Sequence, residues 1–244
     1  MAQTLQSMDD LFKGRHFERE IIVLCVRWYL RFKLSLRDLV EMLAERGLAL
    51  AHTTIMRWVQ RFVPEFEKRW NRFARKAGRS WRVDETYVRV GGKWKYLFRA
   101  VDKHGQLIDS MLSDRRDTGA AYRFLRKALR AVSDYPPSSI TTDKLASYPK
   151  AILRLQNEGL LPNDVVHRTS KNLNNILEAD HGALKRVIRP TRGFQTMKTA
   201  AATLTGFEVM RMIRRGHCIQ RKRQATSEVR LVNQLFCLAA RAAC

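Results

Sequence analysis

SWRVDETYVRV, residues 80–90, runs directly into GGKWKYLFRAVD, residues 91–102, and these two segments decide the fold. Both are rich in β-branched and aromatic residues, the first alternates apolar with polar, and Gly91-Gly92 lies between them. That pattern predicts a β-hairpin. Lys103-His104-Gly105 makes a second turn into QLIDSMLSD, a third strand. TGAAYRFLRKALRAV then sets Ala121, Phe124, Leu125, Ala128, Leu129 and Val132 on one helical face, with Arg123, Arg126, Lys127 and Arg130 opposite. Pro136-Pro137 ends that helix, SSITTD forms a short strand closing on Asp143, KAILRLQNEG is helical, and DVVHRTS is a further short strand. A last helix carries NNILEADHGALKRVI. The order is that of an α/β domain: three meander strands, helix, strand, helix, strand, helix.

Upstream of the hairpin the periodicity is helical. Ile21, Ile22, Cys25, Trp28, Tyr29 and Phe32 fall at helical intervals. Ser35 starts a second helix with SLRD as a weaker capping box, and Gly47 stops it. A third helix begins near His52 with Ile55, Trp58, Val59 and Phe62 facing inward, which leaves Thr53, Thr54, Arg57, Gln60 and Arg61 on exposed or terminal positions. Three short helices with a Gly-containing turn before the third predict a helix-turn-helix unit over residues 1–63. Polar and basic groups at the start of its last helix can reach base edges and phosphates, Arg57 and Gln60 foremost. A basic surface on an ordinary three-helix domain is the alternative. Pro64 is expected to end or kink the third helix, after which residues 64–79 continue as a mixed-charge, helical linker.

Charge narrows the partners. The chain has 244 residues, 46 Lys plus Arg against 23 Asp plus Glu, and a net charge of +23. Such a protein repels itself and calls for a polyanion; nucleic acid is the usual one, an anionic membrane the rival. Its apolar stretches are short and interrupted by Arg and Lys, and MAQTLQSMDD does not read as a signal peptide, so a cytoplasmic, DNA-associated protein is expected. Cys25, Cys218, Cys237 and Cys244 form no C-x-x-C pair, and neither zinc nor disulfides are expected.

Against this basic background three acids stand out. Asp84 lies inside the first strand, Asp143 closes the fourth, and Glu178 sits on the last helix, with 34 residues between Asp143 and Glu178. A half-buried strand carboxylate is costly unless a charge compensates it. Taken singly, Asp84 also reads as an edge or salt-bridged residue, and Asp143 as a turn or cap. Jointly they read as oxygen ligands for divalent cations, two Mg²⁺ or Mn²⁺ ions over a phosphodiester. On the helix, Lys185 is two turns beyond Glu178 and on its face, placed to hold a phosphate, followed by Arg189. The bland alternative is a solvated helix face. His181 shares that face and reads first as a packing residue.

The three acids at this spacing resemble the DDE transposase and integrase superfamily. GLALAHTTIMRWVQRF, WRVDETYVRVGGKWKYLFRAVD, TTDKLASYPKAI and LNNILEADHGALKRVIRPTRGF are similar to one branch, the insertion-sequence-six family of bacterial transposases. The resemblance spans about Phe17 to about Gly216. It implies an RNase H-like mixed-sheet catalytic domain at 80–216 behind the helix-turn-helix domain, leaving 217–244 as a basic and apolar tail. It implies Asp84, Asp143 and Glu178 as metal ligands, and a basic residue at the offset of Lys185. It further implies binding of terminal inverted repeats, cleavage to a 3′-OH, joining to target DNA in replicative cointegrates, and a homo-oligomer, dimer or higher, at synapsis. Two other classes share parts of the pattern. An RNase H-like nuclease would cut without joining, and a helix-turn-helix regulator would bind without cutting.

Overall fold

The computed structural model describes residues 5–32, 34–132, 134–143, 145–169, 175–191, 193–218 and 225–238, with backbone alone for 175–181, 190 and 225–227. Two compact units divide the chain. One comprises Met1–Arg75, Arg186–Arg192 and Ala202–Cys244, the other Lys76–Lys185 and Gly193–Ala201.

The second unit is built on the hairpin. Strands β1 (Ser80–Val90) and β2 (Lys93–Asp102) pair antiparallel through the Gly91-Gly92 turn, where both glycines have positive φ, 56° and 75°. Those angles are cheap for glycine and strained for side-chain-bearing residues. Strand β3 (Leu107–Ser113) adds antiparallel to β2; β4 (Ser139–Thr142) and β5 (Val166–Thr169) add parallel on the other side of β1. The result is a five-stranded mixed sheet in the order β3-β2-β1-β4-β5, with the element sequence the residue pattern predicts.

Helix α5 (Thr118–Ala131) is capped by Asp117, whose side chain accepts from the Ala120 amide. It buries Ala121, Phe124, Leu125, Ala128 and Leu129 with Trp81, Val83, Phe98, Ala100 and Ile140 in a single core. Phe98 and Phe124 lie 5.7 Å apart at their centroids. Helix α6 (Ser147–Asn157) adds Tyr148, Ala151, Ile152 and Leu155. Each large side chain so buried contributes about 1.5–3 kcal/mol. Helix α7 (Asn175–Ile188) follows β5 in the chain.

The first unit is helical. After a short α1 (Met8–Phe12), helices α2 (Arg19–Arg31), α3 (Leu36–Ala44) and α4 (His52–Trp70) pack on one another. Ser35 and Asp38 form the reciprocal capping box, each side chain accepting from the other's backbone amide. The inward face of α4 is as the periodicity predicts, with Ile55, Trp58, Val59 and Phe62 buried.

Of the two outcomes expected at Pro64, an end or a kink, α4 does not end there: the helix runs six residues further and buries Phe66 and Trp70. The apolar contacts of that last stretch outweigh the amide hydrogen bond that proline cannot donate. Helix α8 (Met197–Arg215) has its residues from Ala202 onward in this unit, and α9 (Ala225–Leu235) joins it too, burying Val232 and Leu235, with Phe236 buried just beyond its end. Part of the closing segment is thus core. Arg69 anchors it, its guanidinium donating to the Leu235 carbonyl at 3.3 Å and the Gln6 carbonyl at 2.8 Å.

Candidate active site

Strand lengths create the site. β1 has eleven residues and β4 only four, so the parallel ladder between them stops at Arg82 and Thr141. Carried two residues further, that register brings Asp84 level with Asp143, just where β4 has ended. Carboxylate oxygens of Asp84, Glu85 and Asp143 lie within 4.8 Å of one another. Two of the three sequence-predicted ligands therefore meet. The side chain of the third, Glu178, lies outside the described residues, as does that of His181; the backbone at both positions is helical, as expected.

Glu85 was not among the predicted residues, yet it is the most buried of the cluster. Alternation along β1 puts it on the face of Trp81 and Val83, pointing a carboxylate toward apolar core. Such a group needs partners. The Arg116 guanidinium donates to Glu85 Oε1, and the hydroxyl of fully buried Tyr148 donates to Oε2. Arg116 also donates from Nη2 to Asp143 Oδ2 at 3.3 Å, so one cation ties two acids together. The other Asp143 oxygen accepts the Leu145 amide at 3.0 Å. Asp84 Oδ1 accepts the Glu85 amide at 2.8 Å.

These surroundings shift the protonation equilibria. Burial is the main reason the Asp84 carboxyl is pushed up to about 6; the Glu85 and Asp143 carboxylates push the same way, against the Glu85 amide and Arg116. Tyr148 is raised well above its ordinary range, by burial and then by Glu85. Three carboxylates crowded where β4 ends beside β1, with Asp84 pushed toward holding its proton, form an oxygen donor set that a hard divalent cation would neutralise. The residues fit such an ion.

Outside the cluster, Lys185 is exposed in the sheet-containing unit. Arg189 is exposed and belongs with the helical unit. On α4, Arg57 is exposed and Thr53, Thr54 and Gln60 are half-buried. Arg61 is exposed but already donates to the Leu11 carbonyl at 3.4 Å, which ties α4 to α1. Other acids serve the scaffold. Asp102 accepts from the Gly78, His104 and Gln106 amides; Asp109 and Asp114 pair with Lys127 and Lys95. The signal that could have found Glu85 is its place next to Trp81 and Val83 on the core-facing side of β1; no local signal marks Arg116 as its partner.

Residues 78–217 match the family model described as "DDE domain". The transposase for insertion sequence-like element IS431mec of Staphylococcus aureus is 39% identical over 199 residues, 82% of this chain and 86% of that protein. The transposase of insertion sequence element IS257 in transposon Tn4003, also from Staphylococcus aureus, is 38% identical over the same coverage. Among solved structures, the HTLV-2 integrase catalytic core domain in complex with magnesium aligns with a TM-score of 0.40 at 14% identity, covering 55% of this chain and 86% of that one. No helix among the described residues is long and apolar enough to cross a membrane.

Proposed function

The chain belongs to the insertion-sequence-six family of DDE transposases, and from that premise we propose that it binds the terminal inverted repeats of its element, cleaves them to free a 3′-OH, and joins that hydroxyl to target DNA. The observation that carries this reading is the convergence of Asp84 and Asp143 where β4 ends beside the longer β1.

Asp84, Asp143 and Glu178 would hold the divalent metal, Mg²⁺ or Mn²⁺ and two ions by the chemistry. When bound, it supplies an activated water or 3′-OH and Lewis-acid stabilisation of the departing oxygen. The chain's own groups do the rest. Arg116 holds Asp143 in place through its second bond to Glu85, and Tyr148 fixes Glu85 from beneath. With Oε1 engaged by Arg116 and Oε2 by Tyr148, Glu85 acts as a strut for the ligands. Lys185, on the helix of Glu178, would grip a phosphate beside the scissile one. No covalent protein intermediate is required, so no tyrosine or serine is assigned as nucleophile.

For end recognition, α2, α3 and α4 are read as the helix-turn-helix, with Thr53, Thr54, Arg57 and Gln60 toward bases and phosphates; Arg61 and Arg189 add positive charge. Synapsis of two ends calls for a homo-oligomer, and replicative cointegrates are the expected product.

The test is strand transfer with purified full-length protein, DNA bearing the element's ends, a supercoiled target, and Mg²⁺ or Mn²⁺. Joined product that Asp143→Asn abolishes supports the reading. Asp143-dependent cutting without joining would replace it with a nuclease. Binding with neither reaction would replace it with a regulator.

A further inference from the structure

The face of β1 that buries Trp81 and Val83 does not end with the helix layer. By alternation it continues through Glu85 to Tyr87 and Arg89, opposite which β2 presents Tyr96 and Trp94. There the residues become exposed: Trp94 is 64% and Tyr87 48% accessible. Their rings form a cluster, Tyr87 lying 6.4 Å from Trp94 and 5.3 Å from Tyr96 at the centroids. Single exposed aromatics are ordinary, but Trp94 and Tyr87, side by side with half-buried Tyr96 on one sheet face, leave large apolar surface in water and mark a contact site.

The surroundings select the partner. Arg89 is the cross-strand neighbour of Trp94. Beside Ser113, which pairs with Tyr96, opens a cleft with Arg115 and Arg123 in its wall; its one acid, Asp114, is paired with Lys95. Aromatic faces interleaved with guanidinium groups suit bases and phosphates together. A second copy of this chain would bring the same arginines and another net charge of +23 against them, which like-charge repulsion opposes. Tyr87 is two residues from Glu85 on the same face, about 7 Å along the strand, so the aromatics border the acid cluster.

We propose that Tyr87, Trp94 and Tyr96 form a stacking platform for unpaired DNA bases flanking the phosphate that the acid cluster receives. The proposal rests on the transposase reading for the position of that phosphate. Its test does not need catalysis.

Full-length protein is titrated in EDTA with two DNA probes of one sequence: a fully paired duplex, and one with a short single-stranded extension carrying 2-aminopurine. The parent protein is expected to quench the unpaired 2-aminopurine and to favour the extended probe. Trp94→Ala is expected to lose most of the quench and to lower the ratio of extended-probe to paired-probe affinity by about tenfold, as removal of one stacking aromatic does. Trp94→Phe is expected to restore both. Circular dichroism and sedimentation of each variant accompany the titrations. An unchanged ratio with the quench intact overturns the proposal. So does a change in oligomeric state in Trp94→Ala with equal loss on both probes, which would make the patch a protomer interface. Failure of strand transfer with stacking intact would instead count against the catalytic reading alone.

Discussion

Replacing Asp84 by Asn tests whether the acid cluster is built to be held by a cation. The Asp84 carboxyl is pushed from its ordinary 3.8 up to about 6, chiefly by burial and then by Glu85 and Asp143. The folded protein therefore binds more protons than the unfolded chain between those two values. Stability falls as pH rises through that window, and the loss is complete above about 6. At about 1.36 kcal/mol per tenfold change in proton affinity, the cost of ionised Asp84 is about 3 kcal/mol. Asn keeps the shape without the charge. In EDTA, Asp84→Asn is thus expected to be more stable than the parent by up to about 3 kcal/mol at pH 8, with the advantage shrinking as pH falls from 6 toward 4. Divalent metal removes most of that advantage. Mg²⁺ at a hundredfold over its Kd stabilises the parent by about 2.7 kcal/mol and leaves the variant largely unmoved. Urea titrations at several pH values, with EDTA or Mg²⁺, read both effects, provided the transition of the sheet-containing unit is followed separately from that of the helical unit. An Asn variant no more stable than the parent at pH 8 in EDTA would refute the reasoning, as would equal stabilisation of both by Mg²⁺.

Two further substitutions probe the scaffold. Tyr148→Phe removes the hydroxyl that donates to buried Glu85 and is expected to cost about 1–3 kcal/mol by urea denaturation, because a buried carboxylate oxygen loses its donor; a neutral result would mean that Arg116 alone satisfies Glu85. At Gly206 an added Cβ would meet Leu30 Cδ2 at 2.7 Å and Val63 Cγ1 at 2.9 Å, both in a packed core. Gly206→Ala is therefore expected to lower stability by about 1 kcal/mol, the net of about 1–3 kcal/mol of overpacking and about 1 kcal/mol of helix propensity gained. Thermal melts of the parent and variant check it, and a stabilised variant would show that α2 and α4 yield easily.

Much of this architecture was legible in the residue pattern because its causes are local. The alternation of Trp81 to Val90, the glycine turn at Gly91-Gly92, the apolar face of α5 and the Ser35 cap each depend on residues a few positions apart, and all stand as read. The acids at Asp84 and Asp143 were also legible, one within a strand and one at a strand end, although their separation of under 4.8 Å was not. That closeness depends on the parallel register of β1 with β4, a pairing between segments about sixty residues apart in the chain.

Long-range contacts account for what the sequence left open. Glu85 looked like one polar residue among several until folding set Arg116 and Tyr148 against it, from 31 and 63 positions away. Pro64 argued for a break because its effect on the backbone is local, whereas the burial of Phe66 and Trp70 that carries α4 past it is tertiary. The closing residues are apolar enough to pack but carry no local sign of what they pack on; Arg69 reaches across 166 positions to hold the Leu235 carbonyl. By itself the sequence determined which elements form, which faces are apolar, and which acids are candidates, since propensity and periodicity act over a few residues. Only the tertiary structure decided which charges meet, because a buried carboxylate is tolerable solely where distant donors converge on it.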